Sequence, residues 1–286
     1  MQKALRAGRC AMQTVSSRGY LHENYRLFHS SDRRDMDFQT HCHDFHKVLL
    51  CLSGHVTYIM EGKTYFLRPW DLMIIPEHQI HQSIFDASET YERIILWIND
   101  SFLRSFSDDV LCEVFAWPLM SRCGLFRPEA ASRGALLEKL TAIEQNQKAT
   151  FPGHQLLCDS YLIQFLITLN NLLTREAPAA EDSVRSDPRL NELLDFINQN
   201  LAGDLSVERL AKQFFISPSY LMHQFKRHTG CTLHQYVLQK RLIQAHRDIQ
   251  AGEAVTAAAL SSGFADYSTF LRAFRKMFGC LPSDLR

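Results

Sequence analysis

The sequence predicts an α+β protein with more than one domain: an N-terminal antiparallel β-barrel with following helices, then an all-α C-terminal domain. Short apolar runs alternate with turn residues in the first part, and apolar residues recur at helical spacing after it. The C-terminal part also partly repeats itself. At 286 residues the chain is long enough for two domains that each bury a core.

Composition is that of a folded protein, because hydrophobic residues make up 46% of the chain and charged residues 22%. The 31 basic and 31 acidic residues balance, which taken alone argues against a nucleic-acid partner. Their distribution is uneven, with 13 Lys and Arg against 9 Asp and Glu from Arg185 to Arg286, and 18 against 22 before. This asymmetry is typical of a neutral or acidic domain joined to a DNA-binding domain.

The region from about Phe38 to Ile98 is typical of antiparallel strands. Glu61-Gly62 predicts a two-residue hairpin turn, because Gly adopts positive φ without steric cost. Many short strands with frequent turns favour a small barrel or sandwich over a parallel sheet. The predicted strands lie within Lys47 to Leu52, Val56 to Met60, Thr64 to Leu67, Leu72 to Ile75 and Tyr91 to Ile98.

A helical period replaces the strand pattern between Ser132 and Thr174, with a break at Phe151-Pro152-Gly153. Residues 175–188 are rich in Ala, Pro, Glu and Ser, which predicts a linker. The apolar stretch from Tyr161 to Leu173 is shorter than the ~20 residues of a membrane span, so no membrane partner is expected.

No apolar stretch follows the basic residues of Met1 to Met12, so we expect no secretory leader and a cytoplasmic protein. The eight cysteines contain no C-x-x-C pair, which fits reduced thiols better than disulfides. They are Cys10, Cys42, Cys51, Cys112, Cys123, Cys158, Cys231 and Cys280.

The C-terminal repeat has a spacing of 48 to 49 residues, with one extra residue in the second copy. Ser217-Pro218 predicts the start of a helix that Gly230 ends, and Asp266 predicts the equivalent start in the second copy. Each copy is therefore predicted to be a helix-turn-helix unit. A long helix with an apolar face joins them, and its apolar residues are Leu233, Val237, Leu242, Ala245 and Ile249.

The second helix of each unit presents a polar face opposite its buried residues. Short polar residues followed by Arg or Lys are typical of a helix that contacts base edges and phosphates. The alternative is an ordinary amphipathic helix with solvated charges, and the duplication argues against it. If the two helices lie about one duplex turn apart, roughly 34 Å, one chain reaches two successive major-groove segments.

The stretches ISPSYLMHQFKRHTG and GFADYSTFLRAFRKMFGCLPSDLR resemble the DNA-binding domain of the AraC/XylS family of bacterial transcription regulators. The resemblance covers about Leu190 to Arg286. It implies base contacts from Ser219, Met222, His223, Ser268, Thr269 and Arg272, with phosphate contacts from Lys226, Arg227, Arg275 and Lys276. Two features depart from the family pattern: Phe215 replaces a frequent Gly, and Met222 with His223 are poor hydrogen-bonding readers of bases.

The segments THCHDFHKVLLCLSG, RPWDLMIIP and EHQIH resemble the cupin-like effector domain of the same family. In metal-binding cupins the corresponding positions hold an ion, and here they are His41, His43, Lys47 and His81. Lysine donates where a metal ligand must accept, so neither a metal nor another cofactor is expected. A small ligand in the barrel is expected instead, contacted by the histidines and by Tyr58, Trp70 and Trp97, whose alternative role is simple core packing.

These expectations combine into a sequence-specific DNA-binding regulator controlled by a small effector, by association a carbohydrate, with a homodimer and RNA polymerase as further partners. The expected domains are a cupin-like sensor over 20–100, a helical region for dimerisation or packing over 101–174, a linker over 175–188 and the DNA-binding domain over 189–286. No enzymatic activity is expected. The alternatives are a metal-dependent cupin enzyme with a DNA-binding appendage and, last, a DNA-repair methyltransferase, for which no cysteine has metal-cluster spacing.

Overall fold

The computed structural model describes residues 21, 23–33, 36–37, 39–85, 88–107, 109–176 and 181–285. Met1–Met12 with Cys10, Phe38 and residues 177–180 of the predicted linker lie outside them. The described chain forms two compact units, Leu21–Arg185 and Ser186–Arg286. The first contains antiparallel sheets followed by helices and the second is helical, so the predicted α+β class is confirmed.

The first unit contains two five-stranded antiparallel sheets. Sheet A has the strand order β1-β8-β3-β6-β9, and sheet B has the order β10-β5-β4-β7-β2. The strands are β1 (Tyr25–Asp32), β2 (Met36–Asp37), β3 (His46–Ser53), β4 (Val56–Met60), β5 (Lys63–Leu67), β6 (Leu72–Ile75), β7 (His81–Phe85), β8 (Tyr91–Ile98), β9 (Leu125–Phe126) and β10 (Val184–Arg185).

Sheet A contributes to two hydrophobic cores, because successive side chains of a strand point to opposite faces. On β3, Leu49 and Cys51 lie in a core that both sheets line, together with Tyr58, Tyr65 and Phe85 of sheet B. The alternate residues of sheet A pack against the helices that follow, and they include Val48, Leu50, Leu72, Ile74, Ile94 and Leu96. Residues in line with Leu49 therefore face the barrel interior.

The hairpin between β4 and β5 has the predicted two-residue turn. Met60 pairs with Lys63, and Glu61 and Gly62 lie between them with φ of 48° and 77°. Positive φ at both positions is the geometry of a type I′ turn, which matches the twist of the flanking strands.

Four strands lie outside the region from Phe38 to Ile98 for which strands were predicted, and one of them is β2, which pairs with β7. β1 pairs with β8 along its whole length, from Tyr25 opposite Ile98 onward. β9 pairs with β6, and β10 pairs with β5. Because β10 is formed by Val184–Arg185, part of the predicted linker 175–188 belongs to sheet B.

Four α-helices complete the described part of the first unit: α1 (Asp100–Leu103), α2 (Val110–Met120), α3 (Ala130–Asn146) and α4 (His154–Arg175). The break predicted at Phe151-Pro152-Gly153 separates α3 from α4. By length and composition alone α4 is apolar enough to cross a membrane. Its apolar side nevertheless packs in the helical core through Cys158, Leu162, Phe165, Leu166, Leu169 and Leu173, as expected of a core helix.

The second unit contains six α-helices: α5 (Pro188–Gln199), α6 (Val207–Gln213), α7 (Pro218–Thr229), α8 (Leu233–Gln250), α9 (Val255–Ser261) and α10 (Tyr267–Phe278). The predicted caps are present, since the side chains of Ser217 and Asp266 accept backbone N–H groups at the starts of α7 and α10. Gly230 and Gly279 end these helices at φ of 77° and 71°. The repeat seen in the sequence is therefore a structural repeat.

A buried ion pair holds the chain that leads out of the barrel. The Asp71 carboxylate is fully buried and accepts two hydrogen bonds from the Arg127 guanidinium, at 2.7 and 2.9 Å. Arg127 also donates to the Ser183 hydroxyl at 2.9 Å. This contact anchors the residues immediately before β10.

We expect the Arg127→Met substitution to lower the free energy of unfolding of the first unit by about 3 kcal/mol, because it leaves the Asp71 carboxylate buried without its cation. Arg68→Met is the matched control, since its pair with Asp182 is exposed on both sides and contributes little to stability. Urea unfolding of the full chain, followed by tryptophan fluorescence, measures both. Equal losses would contradict the structural role given to Asp71 and Arg127.

Candidate functional site

Helix α7 presents an exposed polar face because its apolar side is anchored. Leu221 and Phe225 are buried, and the Ser217 hydroxyl accepts the Tyr220 N–H at 3.2 Å. The three base-reading candidates predicted on this helix are all exposed: Ser219, Met222 and His223. The helix therefore offers them to a ligand along one face.

Helix α10 repeats this arrangement with stronger anchoring. Phe270 and Phe274 are fully buried, and Asp266 accepts the Thr269 N–H at 2.6 Å. Hydrogen bonds from Thr269 lower the pKa of Asp266, so this cap is ionised at neutral pH. The predicted readers Ser268, Thr269 and Arg272 are exposed.

Arg272 lies along its own helix. Its Nε donates to the Ser268 carbonyl at 3.4 Å, and its Nη2 donates to the Thr269 hydroxyl at 3.3 Å. Both are long hydrogen bonds at an exposed site, so little free energy opposes reorientation of the guanidinium toward a base.

Basic side chains lie at the C-terminal ends of both helices. Lys226 and Arg227 are in the last turn of α7, Arg275 and Lys276 are in the last turn of α10, and all four are exposed. Such flexible cations are suited to phosphate contacts, which position a protein on DNA without reading its sequence.

The two helix-turn-helix units meet at Arg241 of α8. Its Nε donates to the Leu201 carbonyl at 2.8 Å and its Nη2 to the Gly203 carbonyl at 2.7 Å, in the loop before α6. Gly263, in the turn between α9 and α10, lies against the same loop at φ of 89°. A Cβ at Gly263 would lie 2.5 Å from the Leu201 carbonyl oxygen and 2.9 Å from the Arg241 Nε. No side chain fits there, so this contact fixes one helix-turn-helix unit against the other.

The N-terminal compact unit, Leu21–Arg185, brings together His41, His43, Lys47 and His81, which we call the His–Lys cluster. His41 and His81 form a backbone bridge with hydrogen bonds of 2.9 and 3.0 Å, and their ring centroids are 4.5 Å apart. The ring centroids of His43 and His81 are 4.8 Å apart. Lys47 occupies the same face of β3 as Leu49, which lies in the barrel core.

Each imidazole of the cluster bonds a backbone carbonyl through its Nδ1: His41 to Gln39 at 2.8 Å, His43 to Phe45 at 2.6 Å and His81 to Gln79 at 2.9 Å. A carbonyl only accepts, so each Nδ1 carries the proton and each Nε2 keeps a lone pair.

Burial lowers the pKa of all three rings, well below the usual value for His43 and His81, and the positive charge of Lys47 adds to this. The rings are therefore neutral at pH 7.

Two of the three aromatic residues expected at the effector pocket, Tyr58 and Trp97, lie beside the cluster. The Lys47 Nζ lies 5.5 Å from the Tyr58 ring centroid, and Lys47 pairs with Trp97 across the sheet. Trp70 lies elsewhere: its backbone N–H donates to the Cys51 carbonyl near the far end of β3, and its ring faces Arg133. The structure therefore does not bring Trp70 to the cluster.

A second polar group, formed by His46, Glu77 and Asp100, was not found from the sequence because its members come from three separate segments. Their candidate ligand atoms lie within 4.8 Å of one another, a spacing that suits a metal. However, the His46 Nδ1 accepts the Glu77 N–H at 3.1 Å, and its Nε2 faces Asp100 at 3.2 Å. With both ring nitrogens engaged, the group is a hydrogen-bond network; burial opposes ionisation of Asp100, but hydrogen bonds from His46 and Arg104 lower its pKa.

Comparisons with known proteins match both parts of the chain. The model of an AraC-like ligand binding domain matches residues 25–166, and that of a helix-turn-helix domain matches residues 210–286. The transcriptional activator RhaS of Klebsiella pneumoniae (strain 342) is 25% identical over 253 residues, and the alignment covers 87% of each chain. RhaS of Salmonella arizonae is 25% identical over 274 residues, with the same coverage. A solved structure of ToxT from Vibrio cholerae aligns at 15% identity over 92% of this chain and 97% of that one, with a TM-score of 0.36.

Both family models and the RhaS relatives agree with the two units of the structure: a ligand-binding β domain and a tandem helix-turn-helix domain. The chain belongs to the AraC/XylS family of effector-controlled, DNA-binding transcription regulators.

Proposed function

We infer that each chain inserts α7 and α10 into two successive major-groove segments of one DNA face. The observation that carries this proposal is the structural repeat: both helices start at a side-chain cap, end at a left-handed Gly and expose the same face, at a sequence offset of 49 residues. The Arg241 contact supports it, because two readers of one site must be held at a constant separation.

The two helices contribute unequally in this proposal. Arg272 donates two hydrogen bonds in a planar fork, which matches the O6 and N7 atoms of guanine. His223 occupies the equivalent position on α7, next to Met222, which donates no hydrogen bond. Helix α10 therefore carries most of the base reading, whereas α7 adds contact area and phosphate contacts through Lys226 and Arg227.

The effector binds in the barrel at the His–Lys cluster, and its binding changes how the DNA-binding domains engage adjacent sites. We propose a cytoplasmic homodimer that activates transcription through RNA polymerase. The proposal of activation is supported by the RhaS relatives, which are named transcriptional activators. Exposed apolar residues on α4, Leu156 and Ile167, support pairing of two chains through the helical region.

The protein is proposed to have no catalytic activity. The alternative, a metal-dependent cupin enzyme with a DNA-binding appendage, needs a carboxylate where Lys47 stands. Elemental analysis of the purified protein decides between them: stoichiometric iron, manganese or zinc, lost on His81→Ala, would favour the enzyme.

Binding-site selection with the full-length protein and random duplex DNA tests the regulatory function. We expect two conserved segments separated by about one helical turn, roughly 10 base pairs. A single conserved segment, or none, would contradict two-helix reading.

Replacing Arg272 with Ala is expected to remove base discrimination worth ~1–3 kcal/mol at one position of the site. Lys276→Ala, one turn further along the same helix, is expected to weaken binding to all sequences and to flatten its salt dependence. Fluorescence anisotropy on the selected site and on random DNA, at several salt concentrations, measures both effects. The assignment of Arg272 fails if its substitution weakens both DNAs equally.

Replacing Gly263 with Ala is expected to weaken binding to the two-segment site by about tenfold, or ~1.4 kcal/mol, because the new Cβ displaces the loop held by Arg241. Binding to DNA with only the segment read by α10 is expected to change less.

The matched control is Gly252→Ala, since Gly252 also has a left-handed φ, of 98°, but no atom within 4 Å of the added Cβ. Circular dichroism confirms that both variants are folded. If the two substitutions weaken two-segment binding alike, backbone strain explains the loss and the contact does not set the spacing.

A further inference from the structure

The His–Lys cluster presents three hydrogen-bond acceptors. The Nδ1 of each imidazole is occupied by a backbone carbonyl, so the Nε2 lone pairs of His41, His43 and His81 remain for another donor. The Nε2 atoms of His43 and His81 are buried and have no hydrogen-bond partner in the described part of the chain. A buried acceptor without a donor is costly, and a ligand that donates offsets this cost.

Lys47 adds a buried cation to the cluster. Its side chain is 9% exposed, and none of the carboxylates in the described ranges forms an ion pair with it. The Tyr58 ring, at 5.5 Å, is the neighbour that stabilises the ammonium through a cation–π contact. Burial of a charge without a counter-ion is unfavourable, so the site favours a ligand that brings a negative charge.

A buried donor lies beside the cluster. The Trp97 Nε1 has no hydrogen-bond partner among the residues that the structure describes, and Trp97 lies directly opposite Lys47 in the pairing of β3 with β8. Its ring packs against Phe28 and Phe45, at centroid distances of 4.7 and 4.6 Å. The indole is therefore held in place and its N–H is able to bind an oxygen atom of a ligand.

Three ligand classes are distinguished by these groups. A neutral sugar satisfies the imidazoles through its hydroxyls but leaves the ammonium of Lys47 without a counter-ion. A fatty acid pairs with Lys47 but leaves the imidazole lone pairs without donors. A metal ion would also use the lone pairs, but the three imidazoles are not among the groups of the described residues whose ligand atoms are placed to hold one, and the ammonium would repel it.

We propose that the effector is a hydroxylated carboxylic acid, such as a sugar acid, whose carboxylate pairs with Lys47 while its hydroxyls donate to the Nε2 atoms of the three histidines. This proposal rests on the proposed effector function of the barrel. It names the chemical class of the ligand, and it makes Lys47 the residue that separates acidic from neutral sugars.

Isothermal titration of the full-length protein with matched pairs tests the ligand class. The pairs are D-galacturonate with D-galactose, D-glucuronate with D-glucose, and D-gluconate with D-glucitol. We expect at least one acid to bind about tenfold or more tightly than its neutral partner, because a charge-assisted hydrogen bond is added. If no acid binds at millimolar concentration, or if the neutral partners bind equally well, the proposal is wrong.

Lys47→Met tests the role of the cation. We expect it to weaken binding of the acid by about 10- to 100-fold and to leave any binding of the neutral partner unchanged. It is also expected to raise the thermal midpoint of the ligand-free protein, because it removes an unpaired buried charge at similar side-chain volume. A lowered midpoint would show that Lys47 supports the fold, and would overturn its assignment to the ligand.

Lys240→Met is the matched control, since the Lys240 Nζ lies at the same distance, 5.5 Å, from the Tyr236 ring in the second unit. It is expected to leave acid binding unchanged. DNA affinity measured in the same samples separates the two proposals. A DNA response to a neutral sugar alone would overturn the ligand class and retain the regulator, whereas acid binding without any DNA response would retain the ligand class and contradict effector control.

Discussion

The two-residue period of sheet A is the constraint on which the first unit depends. Both faces of this sheet are buried, one against sheet B and the other against the helices. The apolar residues of β3 and β8 are therefore divided between the two cores, and a shift of one residue would exchange the two sets. Val48 and Leu96 pack against the helices, whereas Lys47 and Leu49 face the barrel interior. The position of Lys47 inside the barrel thus follows from the same register that packs the apolar residues.

Polar groups inside the barrel unit are treated in two different ways. Asp71 is fully buried, but the Arg127 guanidinium neutralises it and Ser183 completes the network. Lys47 is also buried, at 9% exposure, but its neighbour is an aromatic ring and it has no such partner in the described residues. The first arrangement is complete within the protein and therefore structural. The second leaves charge and lone pairs unmatched, which is the condition expected of a binding site whose ligand supplies the complement.

Local features of the fold could be predicted from the sequence. Glu61-Gly62, the Ser217 and Asp266 caps and the terminal Gly residues depend on a few neighbouring side chains, so short motifs identify them. β1 and β10 could not be placed in this way, because each pairs with a strand far along the chain and β10 is only two residues long. A two-residue strand is too short to show alternation of apolar and polar residues, so the sequence did not distinguish it from a linker.

In the candidate sites, too, features set by neighbouring residues could be predicted and features set by distant contacts could not. The faces of α7 and α10 follow from helical spacing within one segment, so the sequence alone was sufficient to name their exposed residues. The His–Lys cluster was located by resemblance, but the protonated nitrogen of each imidazole depends on which carbonyl it meets, and that information is three-dimensional. Trp70 was grouped with the cluster by residue type, whereas its backbone bond to Cys51 places it elsewhere.

The two helix-turn-helix units differ most clearly at one position of their turns. Phe215 and Gly263 are equivalent in the repeat, and both adopt left-handed φ, of 54° and 89°. Gly263 is held by close contact with the Leu201 carbonyl and Arg241, so any side chain there forces the backbone to move. Phe215 is 95% exposed, so its side chain has room and costs only the strain of its φ. The turn that lies against the other unit therefore keeps Gly, and it leads into the helix that carries Arg272. Geometric precision is thus greatest where the proposed base reading requires it most.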